Sequence, residues 1–216
     1  MKKISMMVSV SLLILFLTAC GGEDPAELMF EHLEEAVQIE RAVEEHQEPL
    51  TEAENNEYEL YEEMLETSDL DELEELSRQA IESAENRRAL IEEEKEIIDE
   101  AYEEFQQATE YVSDLEEEEV RSQAENMIAT MESRYEAYQE LYEAYTSTIE
   151  MDIELYTMVY EEELTVEELQ EQHDSVNSYY EEINDLNDQF NEYTVAYNDE
   201  KRDFYEAAGL EVVFED

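Results

Sequence analysis

The stretch 165–209, TVEELQEQHDSVNSYYEEINDLNDQFNEYTVAYNDEKRDFYEAAG, repeats an apolar residue every seven positions: Leu169, Val176, Ile183, Phe190, Tyr197 and Phe204, with Tyr179, Leu186 and Tyr193 between them. A seven-residue apolar period is slightly shorter than two full helical turns, so helices that carry it wind around each other in a left-handed, coiled-coil-like seam. A capping box of Thr165 with Glu168 opens the stretch, and Gly209 is placed to end it as a C-terminal cap. One long rod of this kind cannot bury its stripe alone, and the preceding sequence supplies its partners.

Similar start signals occur upstream. Asp24-Pro25-Ala26-Glu27 offers a cap followed by a proline in the first helical position, while Asp69 with Glu72 and Ser113 with Glu116 repeat the box pattern. These signals divide the chain into four segments of about 40 to 50 residues, or rods of roughly 60 to 70 Å. The first, from Pro25 to Thr67, turns Met29, Leu33, Ala36, Val43 and Leu50 inward; Pro49 predicts a kink or short break near Glu48. The second carries Leu70, Leu73, Ala80, Ala84, Ile91, Ile98, Ala101, Phe105, Ala108 and Val112, with Ser77, Arg87 and Glu94 on the same seam, where polar residues fix register at a cost in stability. The third, from about Glu117 to Glu163, bears Tyr135, Tyr138, Tyr142, Tyr145, Ile149, Ile153, Tyr156 and Tyr160 near one face. Such a row either packs between helices, with each hydroxyl on a carboxylate or water, or stacks on sugar rings. The expected fold is all-α, an elongated antiparallel bundle of three to four long helices with coiled-coil-like seams, spanning 25–209 and followed by an apolar tail, 210–216, that can dock back on it.

The other end of the chain carries an address. Lys2 and Lys3, an uncharged apolar run from Ile4 to Leu17, and a small-residue exit at Thr18-Ala19 form the three regions of a secretory signal. The run is shorter than the roughly 20 apolar residues of a membrane span. Residues 1–19 therefore read as a cleaved signal peptide. Leu17-Thr18-Ala19-Cys20 resembles the lipobox of bacterial lipoproteins, in which the cysteine is lipidated. This resemblance makes Cys20, the sole cysteine, the lipidation site and residues 20–24 a short tether, about 14 Å long at full extension. The expected location is the outer face of the cytoplasmic membrane, with the lipid as anchor.

Loss of the signal leaves nine of the 11 basic residues against 65 acidic ones. A surface so acidic repels nucleic acid and anionic headgroups. Solvation of an exported protein explains it; calcium collection would need converging oxygens and usually a glycine-bearing loop, while Gly21, Gly22 and Gly209 are the only glycines. Little else suggests chemistry. His32, His46 and His173 match neither the di-iron nor the zinc-protease spacing. Paired carboxylates occur everywhere and so identify no hydrolase. No catalytic residue, metal or cofactor is expected.

The chain also resembles a known family as a whole. Cys20, Gln47-Glu48-Pro49-Leu50, Arg134-Tyr135 through Tyr145, Glu154-Leu155-Tyr156, and above all Phe190-Asn191, Thr194, Tyr197-Asn198, Lys201 and Phe204-Tyr205 are similar to the YkyA-like family, whose label is "putative cell-wall-binding lipoproteins" of Gram-positive bacteria. The resemblance implies a helical extracytoplasmic lipoprotein that meets peptidoglycan or another wall component, or acts as a spacer. A helical interaction module for another envelope protein is the alternative. Gram-positive walls carry anionic teichoic acids, and this chain is far more acidic than the family leads one to expect. Tyr197, Lys201 and Tyr205 are therefore the candidate contact surface, set against the simpler reading that Lys201 pairs with neighbouring acids.

Overall fold

The computed structural model describes residues 24–160 and 165–212. Its five α-helices are α1 (Pro25–Glu40), α2 (Glu44–Glu66), α3 (Leu70–Thr109), α4 (Glu118–Met158) and α5 (Val166–Ala207). Short 3-10 turns occupy Arg41–Val43 and Val112–Asp114. Helices α1 and α2 share one rod, so the fold is four rods in an all-α bundle. Among the described residues there is no strand.

Local chemistry sets most of the boundaries. Asp24, in an extended conformation, accepts from the Ala26 amide at 3.0 Å, and Pro25 follows it in the first turn. Asp69 Oδ1 accepts from the amides of Asp71 (3.0 Å) and Glu72 (3.3 Å), but the Glu72 carboxylate takes the Thr67 hydroxyl, so only half of the expected box forms. Thr165 and Glu168 form the complete box, at 3.2 and 3.0 Å. Gly209 adopts φ +70, with the Leu210 amide on the Tyr205 carbonyl (3.0 Å) and the Gly209 amide on the Glu206 carbonyl (3.1 Å). These two bonds are the Schellman pattern that satisfies the last carbonyls of a helix.

Two expectations need correction. The break in the first rod falls at Arg41–Val43, not near Glu48, and Pro49 lies inside α2. A proline lacks an amide hydrogen, and its ring crowds the carbonyl four residues back, so the adjustment falls ahead of it. Here that carbonyl belongs to Glu45, in the first turn of α2, and the 3-10 turn Arg41–Val43 lies ahead of it. Ser113, expected to cap the third rod, instead sits in the second 3-10 turn; α4 starts five residues later, from Glu117, with no side-chain cap.

The rods run antiparallel. Phe30, early in α1, meets Tyr205, late in α5, with ring centroids 5.1 Å apart, while Phe105 near the end of α3 meets Tyr197 at 6.0 Å. At the other end Tyr61 of α2 lies 6.2 Å from Tyr156 of α4 and 6.1 Å from His173 of α5. Each end has its own apolar core. One gathers Met29, Leu33, Phe105, Val120, Met127 and Phe204, with Leu210 and Val212 of the tail packed on it. The other gathers Met64, Leu73, Leu76, Ala80, Ala84 and Ile149. The heptad of α5 keeps its phase, since Val176, Ile183, Tyr197 and Phe204 are buried and Leu169 and Phe190 half-buried. Leu70, expected on the inner face, begins α3 and is exposed. Cys20, tether residues 21–23, the signal segment and 213–216 lie outside the described residues.

Candidate functional site: buried cations and the α3–α4 groove

In a chain so short of positive charge, three of the basic side chains are buried: Lys201, Arg134 and Arg87. Each lies on a seam between helices.

Of the two readings of Lys201, a contact surface or a cation paired with neighbouring acids, the structure supports the pairing and places Tyr197, Lys201 and Tyr205 inside. Tyr197, Lys201 and Tyr205 are 4, 5 and 1% exposed. Lys201 Nζ lies 3.3 Å from Glu34 Oε1 of α1, and the Tyr205 hydroxyl donates to the same oxygen at 2.8 Å. The ammonium also lies 5.9 Å from the Tyr197 ring centroid and 5.8 Å from that of Tyr205. This trio is not a solvent-facing contact surface. It is a clasp between α5 and α1, in which two aromatic rings and a carboxylate offset the desolvation of one ammonium. The heptad contained the signal: Lys201 follows Tyr197 by four residues and precedes Phe204 by three, so it shares their inward face.

Arg134 of α4 forms the next layer. Its two terminal nitrogens grip both oxygens of Glu40 on α1, Nη1 at 3.1 Å, in the fork geometry that makes arginine–carboxylate pairs directional. Its Nε donates to the Thr194 hydroxyl of α5 at 2.9 Å, and the guanidinium lies 4.7 Å from the Phe190 ring centroid.

Arg87 of α3, 1% exposed, holds the third layer. Its Nη2 reaches Glu57 of α2 at 2.8 Å and Asp152 of α4 at 2.6 Å; its Nη1 donates to the Tyr180 hydroxyl of α5 at 3.0 Å, which in turn donates to Asp152 at 2.8 Å. Four rods therefore meet at one guanidinium. Both carboxylates are 2% exposed, and neither Glu57 Oε1 nor Arg87 Nε has a hydrogen-bond partner among the described residues. Burial pushes the Glu57 carboxyl up to about 7 despite the opposing attraction of Arg87, and raises Asp152 as well. The same desolvation keeps the hydroxyls of Tyr145, Tyr156 and Tyr180 protonated far above their ordinary value. A carboxyl that changes protonation near neutrality is a familiar catalytic feature. Here it is 2% exposed, where helices of all four rods meet.

The tyrosine row of α4 is likewise interhelix packing. The Tyr135, Tyr138, Tyr145 and Tyr156 hydroxyls donate to Asp99, Glu94, Glu54 and Glu57, and the Tyr135 ring stacks on Tyr102 of α3 at 3.8 Å. The histidines are dispersed: His32 is 2.6 Å from Glu104, His46 is 3.2 Å from Glu93, and His173 stacks on Tyr61. Among the described residues no three His, Cys, Asp or Glu side chains gather to hold a metal, and no helix is long and apolar enough to cross a membrane.

Two spaces remain. A cavity of about 20 Å³, enough for a water molecule, lies among Ala36, Glu40, Tyr102, Met131, Arg134 and Tyr197. An open groove of about 350 Å³ runs between the end of α3 and the first half of α4, lined by Tyr102, Phe105, Gln106, Gln107, Thr109 and Glu110 on one side and Ile128 and Glu132 on the other.

With this geometry in place, comparison with known proteins is informative. The family model YkyA, described as "Putative cell-wall binding lipoprotein", matches residues 24–207, which is nearly the whole bundle. The chain belongs to the YkyA family. The Bacillus subtilis (strain 168) protein named "Uncharacterized lipoprotein YkyA" is 31% identical over 200 residues, covering 92% of this chain and 90% of its own. A crystal structure of a conserved protein of unknown function from Staphylococcus aureus shares the fold, with a TM-score of 0.60 over 85% of this chain and 97% of its own, at 12% identity. The matched YkyA region contains all three buried cations and the groove.

Proposed function

We propose that the mature chain is a lipid-anchored, non-enzymatic rod on the outer face of the cytoplasmic membrane that contacts the cell wall and spaces it from the membrane. The observation that carries this reading is the position of Asp24. It caps the first helix at the end of a bundle whose longest rods, 40 to 42 residues, reach about 60 Å. A lipidated Cys20 lies four residues before that cap, so one end of the rod is held within about 14 Å of the lipid and the other stands well out into the wall zone. Family membership supports the lipoprotein character, and the family's description supports the wall contact. The engagement of the buried cations and the tyrosine row within the bundle supports a binding or spacing role over catalysis.

The anchor has a direct test. In cells producing Cys20→Ala, the protein is expected to leave the membrane pellet for the soluble or medium fraction, because durable attachment needs more than one acyl chain and this variant offers no site for any. Retention equal to wild type would show that something other than lipid holds the protein.

Wall contact is tested by co-sedimentation of the chain from Gly21 to Asp216 with purified sacculi, with and without teichoic acid, in calcium or chelator. The expected result is binding that survives removal of both teichoic acid and calcium, since the surface repels anionic polymers. Binding that requires both would make the contact a cation bridge between two acidic surfaces. No binding would transfer the reading to a protein partner.

A further inference from the structure

We propose that the α3–α4 groove is the wall-contacting site and that it takes a neutral, N-acetylated oligosaccharide; this rests on the wall-binding reading above and gives it a place. The first argument is electrostatic. About three residues in ten of this chain are acidic, yet Phe105 to Thr109 contains none and Val120 to Met131 contains only Glu125. The groove lies where these two stretches face each other, with Glu110 and Glu132 among its lining residues. Two of its eight lining residues are acidic and none is basic. No lysine or arginine lines it, so a phosphate-bearing polymer finds no counter-charge there, whereas an uncharged ligand escapes that repulsion and its hydroxyls keep the two carboxylates hydrogen-bonded.

The second argument is the chemistry of the lining. Gln106 and Gln107 are exposed, and neither side-chain amide is engaged with another described residue. Each amide presents both donor and acceptor groups, which matches the mixed donor and acceptor character of hydroxyl and acetamido substituents. The carboxylates of Glu110 and Glu132 accept from hydroxyls. Among them the half-buried Tyr102 and Ile128 supply an apolar patch, suited to the C–H face of a sugar ring, over the buried Phe105, and Tyr102 is held in place by its stack on Tyr135. The volume, about 350 Å³, falls within the range of small-ligand sites.

The test uses the chain from Gly21 to Asp216, whose core lies wholly within the described bundle, and a neutral oligomer of N-acetylglucosamine as probe. Amide resonances of residues 102–110 and 126–132 are expected to shift on titration. Gln106→Ala with Gln107→Ala should weaken binding about tenfold, equivalent to about 1.4 kcal/mol. Alanine favours helix at exposed positions, and circular dichroism of the variant confirms its fold. Shifts confined to other residues, or equal affinity in wild type and variant, would overturn the groove as the site. If the oligomer gives no shifts while wild type still sediments with stripped sacculi, the groove is wrong and wall binding stands. If neither binds, both fall.

Discussion

Replacing Arg87 with alanine is expected to cost about 3–5 kcal/mol of folding free energy, the usual result of removing one partner from a buried charge cluster. The guanidinium is the common partner of Glu57, Asp152 and Tyr180, so its loss leaves two carboxylates 2% exposed with no cation beside them. The penalty should be larger at pH 8 than at pH 5, because at the lower pH the orphaned carboxyls can take up protons. Urea denaturation followed by helicity at the two pH values checks both statements. Replacing all three charged residues together with apolar ones of similar volume should cost much less, since the penalty arises from the unpaired charge and not from absence of the network. A loss below about 1 kcal/mol in the single variant, at the level of a surface pair, would mean that water reaches the cluster.

Glu57→Gln should have the second largest effect, and its sign depends on pH. The carboxyl is raised from an ordinary value near 4.5 to about 7 in the folded chain. Between these values the folded state holds a proton that the unfolded state has released, so stability falls as pH rises. The contribution is fully present below about 4.5 and lost by the time pH has passed about 7, a change of about 3 kcal/mol. Glutamine mimics the protonated acid at all pH values. The difference in stability between variant and wild type should therefore grow in favour of the variant from pH 4.5 to 7 and then level. Surface repulsion also changes over this range, but it is common to both proteins and cancels in the difference. A flat difference would place the proton elsewhere in the cluster.

The parts of the fold that were legible in the sequence are those set by local chemistry or by a long periodic stripe. Thr165 and Glu168 lie three residues apart and need no other part of the chain to cap α5; the α5 heptad needed only its own phase. The break in the first rod falls outside the turn that Pro49 can crowd, Glu45–Glu48, and that turn is regular helix, so the proline did not mark it. Ser113 failed as a cap because the chain between α3 and α4 inserts a 3-10 turn before α4 begins, a tertiary choice that no dipeptide announces.

Function was less legible, for a related reason. Tyr and Lys are amphipathic and serve equally on a surface or within a seam. At Tyr197, Lys201 and Tyr205 the deciding fact was Glu34, 167 residues before Lys201 in the chain. Arg87 could be placed on a seam from its spacing, but Glu57, Asp152 and Tyr180 could not be assigned to it, since one acid in such a sequence looks like another. The scarcity of basic residues was the overlooked clue. When carboxylates are abundant and cations few, a cation at a seam position has many carboxylates to draw in with it.

The even number of rods has a further consequence for how the molecule is displayed. The start of α1 and the end of α5 lie at one pole of the bundle, with Leu210 and Val212 folded onto the core there. The Thr67–Asp69 turn, the end of α4 and the start of α5 occupy the opposite pole. On a chain tethered through Cys20, a label fused after the tail would be carried at the pole nearer the lipid. An epitope inserted in the Thr67–Asp69 turn would be carried about 60 Å higher, at the height where an antibody or protease first arrives.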